Sequence, residues 1–158
     1  MASQIVELYS ALAATNIAVN GVTIRVKDLT GLPSALDTAI LPCRLLTPIS
    51  SFLTNNMQSG VWTVAGYSGV AEVRWNVADI MYLKPLAQDV GIRAIADDLV
   101  AYMREYQVMI SAFVPPSIGS TLWVQNLTMN AGVFEYPLLS GRWFYGVAAM
   151  LSVVEKIS

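Results

Sequence analysis

The residues that could do chemistry are few and scattered. Asp97 and Asp98 are adjacent carboxylates, the raw material of general acid–base catalysis. Consecutive helix positions diverge by about 100°, however, so the two do not converge on one reacting atom. With Arg93 ahead of them they read as a solvated helix face. Cys43 beside Arg44 could carry a lowered thiol pKa, but a single cysteine within an apolar strand reads as packing. Glu72 and Asp79 could serve a hydrolase or a small-ligand domain, yet no converging polar constellation accompanies them. Gly66 and Gly69 are followed neither by a Lys-Ser/Thr pair nor by a helix, so they do not make a phosphate cradle. Asn126-Leu127-Thr128 matches a glycosylation sequon and, with no export signal at the start of the chain, reads as coincidence. Histidine is absent and cysteine occurs once, which removes imidazole ligands, the usual general base, thiolate metal clusters and an internal disulfide. The expectation is a protein that is not an enzyme, with no catalytic, cofactor-binding or metal-binding residues.

What must position these residues is a chain of 158 amino acids, one domain over 1–158, long enough to bury a core without staples. Only 13% of it is charged, against roughly 25% in an ordinary soluble domain, while 55% is apolar. Nine Lys and Arg against eleven Asp and Glu leave a net charge of −2 with no basic block, which argues against a nucleic-acid groove. The start lacks the charged n-region and clean apolar core of a signal peptide, since the first basic residue is Arg25 and Glu7 interrupts the apolar stretch. Charge-free runs at 45–71 and 106–134 exceed the roughly 20 residues of a bilayer span. Their Asn, Gln, Gly and Pro content argues against insertion and for surface covered by protein partners. A monomer of this mass exposes roughly 7,700 Å², and two standard interfaces of about 800 Å² per partner would hide about a fifth of it.

Hydrophobic periodicity supplies the elements. Ile5, Leu8, Tyr9, Leu12 and Ala13 share one arc of a helix over about 4–14, with Ser3 as its N-cap. Asn20-Gly21 turns the chain into a half-buried strand over 22–27. Residues 39–46 look extended, with Pro42 favouring an edge position or a bulge. A loop over 47–60 carries the apolar Phe52 and Met57, Val61 to Val64 forms a short strand containing Trp62, and Tyr67 lies in the following turn. Val73, Trp75 and Val77 alternate with Glu72, Arg74 and Asn76 in a strand ended by Lys84-Pro85. A helix over about 86–113 gathers Ile92, Ile95, Leu99, Tyr102, Met103, Tyr106, Ile110 and Phe113 on one arc and is closed by Pro115-Pro116. Arg93 and Arg104 share its outer face, as a partner contact or a solubilising stripe. Leu122 to Met129 is extended, Asn130-Ala131-Gly132 signals a turn, and a last strand runs from Arg142 to Glu155. That last strand is apolar on both faces, because Phe144, Ala148, Met150 and Val154 oppose Trp143, Tyr145, Val147, Ala149, Leu151 and Val153. Helices cover one face, and a neighbouring subunit or a sheet folding back covers the other. The expected fold is α+β: a mainly antiparallel sheet with both helices packed on one face.

This order of elements, with the tyrosine-bearing helix closed by Pro115-Pro116 and the terminal strand opening Arg142-Trp143-Phe144-Tyr145-Gly146-Val147, resembles tail-terminator and neck proteins of long-tailed bacteriophages. The resemblance rests on element order, size and the aromatic terminal strand, and the longer segments 28–39 and 47–69 depart from the smaller members. It implies a structural virion subunit of the tail or neck, assembled in the host cytoplasm. Six copies would close a ring that caps the tail-tube protein, receives the head-side connector and lets DNA pass through the lumen, without a membrane. Tail-tube and capsid-decoration subunits are alternatives within the structural class; a small-ligand domain or carboxylate hydrolase is the alternative outside it. The residues expected at subunit interfaces are Phe52, Met57, Trp62, Tyr67, Trp123, Phe144 and Met150.

Overall fold

A computed structural model describes residues 5–26, 40–47, 61–64, 71–86, 91–112, 121–136 and 141–157. The first element, α1 (Ile5–Ala14), buries Ile5, Leu8 and Leu12, as the arc requires. It ends where Thr15 turns back on the helix, its N–H donating to the Leu12 carbonyl and its Oγ1 to that of Ala11. Ser3, the expected N-cap, lies outside the described residues. Then comes a hairpin, β1 (Ile17–Val19) and β2 (Val22–Val26), the first of which is too short to show periodicity. Its two-residue turn has φ of 50° at Asn20 and 80° at Gly21, the left-handed pair that a tight hairpin demands and that Asn-Gly supplies.

Strand β3 (Cys43–Thr47) runs parallel to β2 and antiparallel to β5 (Ala71–Pro85), with β4 (Val61–Val64) pairing the start of β5. Pro42 therefore precedes an interior strand instead of marking an edge one. Strand β5 continues through Lys84-Pro85, with Pro85 opposite Phe144, so helix α2 begins at Gly91 and ends at Ala112. The expected start near 86 falls just past the end of the strand, where the missing N–H of Pro85 costs little, and residues 87–90 lie outside the described residues.

The last two strands, β6 (Thr121–Glu135) and β7 (Trp143–Ile157), pair along their whole length. No turn interrupts β6 at Asn130-Ala131-Gly132: pairing with Ala148, Val147 and Gly146 overrides the local turn preference. The register slips once, between Val124 and Asn126, leaving Gln125 as a bulge. The strand order is β1-β2-β3-β5-β7-β6, antiparallel throughout except for β2 and β3.

Both helices lie on one face of this α+β sheet. Tyr145, Val147 and Ala149 of β7 meet Ile95, Leu99, Tyr102 and Tyr106 of α2, while Leu151 and Val153 meet Leu8 and Leu12 of α1. On the other face Phe144 and Ala148 join Leu45, Ile80, Tyr82 and Tyr136 in a separate cluster. Met150 and Val154, on that same face, are 7% and 2% exposed. Strand β7 is thus central and buried on both sides within one chain, so its doubly apolar pattern requires no neighbouring subunit.

Candidate functional site

The most concentrated polar chemistry lies under the helices. Arg44 on β3 and Asp79 on β5 point to the helix side and form a fully buried ion pair. The guanidinium reaches the carboxylate through Nη2 and through Nε, at 3.3 Å from Oδ1 and 3.2 Å from Oδ2. Its Nη1 donates to the Thr15 carbonyl at 2.8 Å, and the Tyr106 hydroxyl donates to Asp79 Oδ2 at 2.8 Å. One charge pair therefore ties the end of α1, β3, β5 and α2 together. Burial opposes the Arg44 charge, but attraction and hydrogen bonding to Asp79 outweigh it, and its pKa is raised above the ordinary value. Burial, reinforced by the Asp79 charge, pushes the Tyr102 and Tyr106 hydroxyls well above the ordinary tyrosine range. The Tyr102 hydroxyl makes no hydrogen bond of normal geometry.

This arrangement is a clamp. Arg44 and Asp79 are both sealed from solvent, and the carboxylate is engaged by its own chain. Glu72, the other carboxylate a hydrolase would need, lies on the opposite face of β5 and pairs with Arg74 at 3.1 Å. The two do not converge. Among the described residues no group of three His, Cys, Asp or Glu side chains could hold a metal ion, and no helix is long and apolar enough to cross a membrane.

A cavity of about 420 Å³ opens between the hairpin and α2. Val19, Ile24, Met81 and Leu83 give it apolar walls, Tyr102 contributes to its lining, and Lys84 and Asp98 add charged groups. Asp98 is already engaged, accepting from Asn20 Nδ2 at 2.9 Å. This is a recess suited to an apolar side chain, without polar groups arranged to orient a reaction.

The expected interface residues do not gather at one place. Phe52, Met57 and Tyr67 lie outside the described residues, and Trp62 is on β4 opposite Val73. Phe144 and Met150, at 5% and 7% exposure, are covered by their own chain; the Phe144 ring stands edge-on to Tyr82 at 5.6 Å. They are core residues, because β7 sits between β5 and β6 and never reaches a sheet edge. Trp123 is half-buried on β6, with Lys156 Nζ 5.5 Å from its ring centroid.

The large apolar groups that do face solvent include Trp143 and Val133, at 45% and 37% exposure. Both lie on the helix side, where β6 and β7 join beyond the reach of α2. Alternation puts Trp143 on the face of Tyr145 and Val147, which α2 covers, and so reads it as core; it is not, because a strand that outruns its covering helix leaves its end residues bare. The signal available was position: Trp143 opens the strand, directly after the turn residue Gly141 and Arg142. Comparison of the chain with protein-family models, curated proteins and solved structures finds no match.

Proposed function

We propose that this protein is a structural ring subunit of a phage tail or neck, capping the tail tube and joining it to the head around a DNA-passing lumen. The observation that carries the reading is the architecture: a short helix, a hairpin, a mainly antiparallel sheet and a second long helix on the same face, in the order the phage resemblance implies. The low charge share supports assembly, since such a surface gains by meeting protein. Head-to-tail contacts between identical subunits close into a ring when the rotation between neighbours closes. A completed ring seated on the tube end blocks further tube growth by covering the surface on which the next ring would add. The mildly acidic balance suits a lumen that must let DNA slide.

Light scattering of the purified chain at micromolar concentration, with and without tail tubes, tests the reading, and negative-stain images show the shape. Closed rings, free or on tube ends, are expected. A chain that stays monomeric and leaves the tubes bare overturns it.

A further inference from the structure

We propose that the outer edge of β6 is a subunit joint, on which a second copy of this chain docks its own backbone, with Val133 and Trp143 flanking the joint on the helix side. The identity of the partner rests on the ring reading above. The edge itself is read from the strand. Among the described residues nothing pairs with the outer side of β6, so every second residue turns its N–H and C=O outward. Side chains are exposed on both faces: Asn126, Thr128 and Asn130 on one, Ala131, Val133 and Glu135 on the other.

Soluble chains ordinarily defend such an edge by shortness, proline, charge or bulges. Strand β6 is 15 residues long and has neither a charged residue nor a proline from Thr121 through Phe134. Its one bulge, at Gln125, lies near one end and leaves the run from Asn126 onward regular. At the other end of the sheet β1 is only 3 residues long. Among the described residues the edges at β1 and β4 are short, and the one at β6 is long and undefended.

The bare apolar flank beside the edge favours a folded subunit over a short peptide as the occupant. At about 3.3 Å per residue the strand spans roughly 50 Å, and a sheet about 10 Å thick then presents roughly 500 Å² of edge. A standard interface takes about 800 Å² per partner. The bare parts of Trp143 and Val133 add on the order of 100–150 Å² beside the edge, a flank that only a folded partner can cover. The joint remains below standard size, as befits a contact that persists because each subunit of a closed ring is held on two sides.

The test uses the full chain. The double variant Thr128→Lys, Asn130→Lys places two charges on exposed positions of the edge, which any incoming strand would have to strip of water without pairing them. We expect an unchanged circular-dichroism spectrum and melting temperature, with assembly weakened at least 100-fold in concentration. Trp143→Ser should weaken assembly about 10-fold. A photocrosslinker at Asn130 should give covalent dimers under assembly conditions, which keeps the proposal decidable if the lysine variant misfolds. If the lysine variant forms rings as the wild type does, or the crosslinker captures no second copy while rings form, the joint is overturned and the ring reading stands. A wild-type chain that is monomeric with and without tail tubes removes both.

Discussion

The centre of the sheet and its β6 edge are built in opposite ways. The centre buries an arginine, an aspartate and a glutamate among aliphatic and aromatic side chains, while the edge faces water with asparagine, threonine, alanine and valine and hardly a charge. Water solvates ions better than a protein interior does, so the usual economy would put charges on the edge and carbon at the centre. The inversion has a physical meaning in each place. Buried charges must be matched atom for atom, which selects one arrangement of α1, β3, β5 and α2 over others. An uncharged edge loses little on leaving water, which suits it to being covered later.

The sharpest way to break the central half of this comparison is to orphan one charge. Asp79→Ala leaves the Arg44 guanidinium buried without its counter-ion and should cost about 3–5 kcal/mol in denaturant unfolding. Replacing both partners, Arg44→Met with Asp79→Leu, should recover at least half of that loss. Recovery will be incomplete, because the Thr15 carbonyl and the Tyr106 hydroxyl also bond to the pair and would lose their partners. A single variant as stable as the wild type would show that the clamp does not select the fold.

Alkaline pH attacks the same region. Tyr82, Tyr102 and Tyr106 are fully buried, and burial raises all three above the ordinary value of 10.0. Their neutral forms are favoured in the fold, so their contribution is fully present below pH 10 and is lost as pH climbs through the raised values. Between those limits the unfolded chain has released protons that the native chain retains, and stability falls by about 1.4 kcal/mol per pH unit for each such tyrosine. Absorbance at 295 nm against pH should show these three ionising only together with loss of near-ultraviolet dichroism. Ionisation near pH 10 with the fold intact would mean that the centre is open to water.

How much of this was legible beforehand follows from the range over which each cue acts. The helix arcs, the Asn20-Gly21 turn and the two apolar faces of β7 are written in short windows, and all three are found; the strand before that turn, three residues long, is not. That the second face of β7 is closed within the chain was not legible, because the cluster of Leu45, Ile80, Tyr82, Tyr136 and Phe144 is brought together by long-range pairing that no window contains. The same limit explains the false turn at Asn130-Ala131-Gly132, where good turn residues are held extended by β7. The Arg44–Asp79 clamp left a faint mark: Arg44 is the one charge of β3, and Asp79 takes a position of β5 where the alternation of Val73, Trp75 and Val77 calls for carbon. Pairing the two marks would have predicted the bridge. For the candidate joint, the charge-free run at 106–134 points to β6 and offers Trp123 as an anchor, but it does not single out Val133 or Trp143, since periodicity tells which face a residue takes and not how far the covering helix extends.

A smaller test contrasts centre and edge at one pair of residues. Gly146 of β7 and Gly132 of β6 lie opposite each other in the ladder. A Cβ on Gly146 would overlap the Met81 carbonyl oxygen, whereas one on Gly132 would meet nothing within 4 Å. Gly146→Ala therefore forces β5 and β7 apart and should cost about 1–3 kcal/mol. Gly132→Ala should be neutral or stabilise by up to about 1 kcal/mol, because alanine has less freedom to lose on folding than glycine. Equal melting temperatures for the two variants would erase the distinction between a packed strand and an open one.

The smallest expected effect lies where the two regions meet. Lys156 on β7 is exposed, and its ammonium sits over the Trp123 ring on β6, a contact that bridges the central strand and the edge. An exposed ammonium keeps most of its hydration, so the attraction to the ring is worth only about 0.5–1 kcal/mol. Lys156→Gln should lower unfolding stability by no more than that, and Lys156→Arg should preserve it, since a guanidinium also stacks on an indole face. If the edge is covered by a second copy, Trp123 and Lys156 lose water when the copies join and the same contact strengthens. Lys156→Gln should then weaken assembly by a larger factor than it destabilises the isolated chain. An equal effect on both would place Trp123 outside the joint and confine it to the stretch from Asn126 onward.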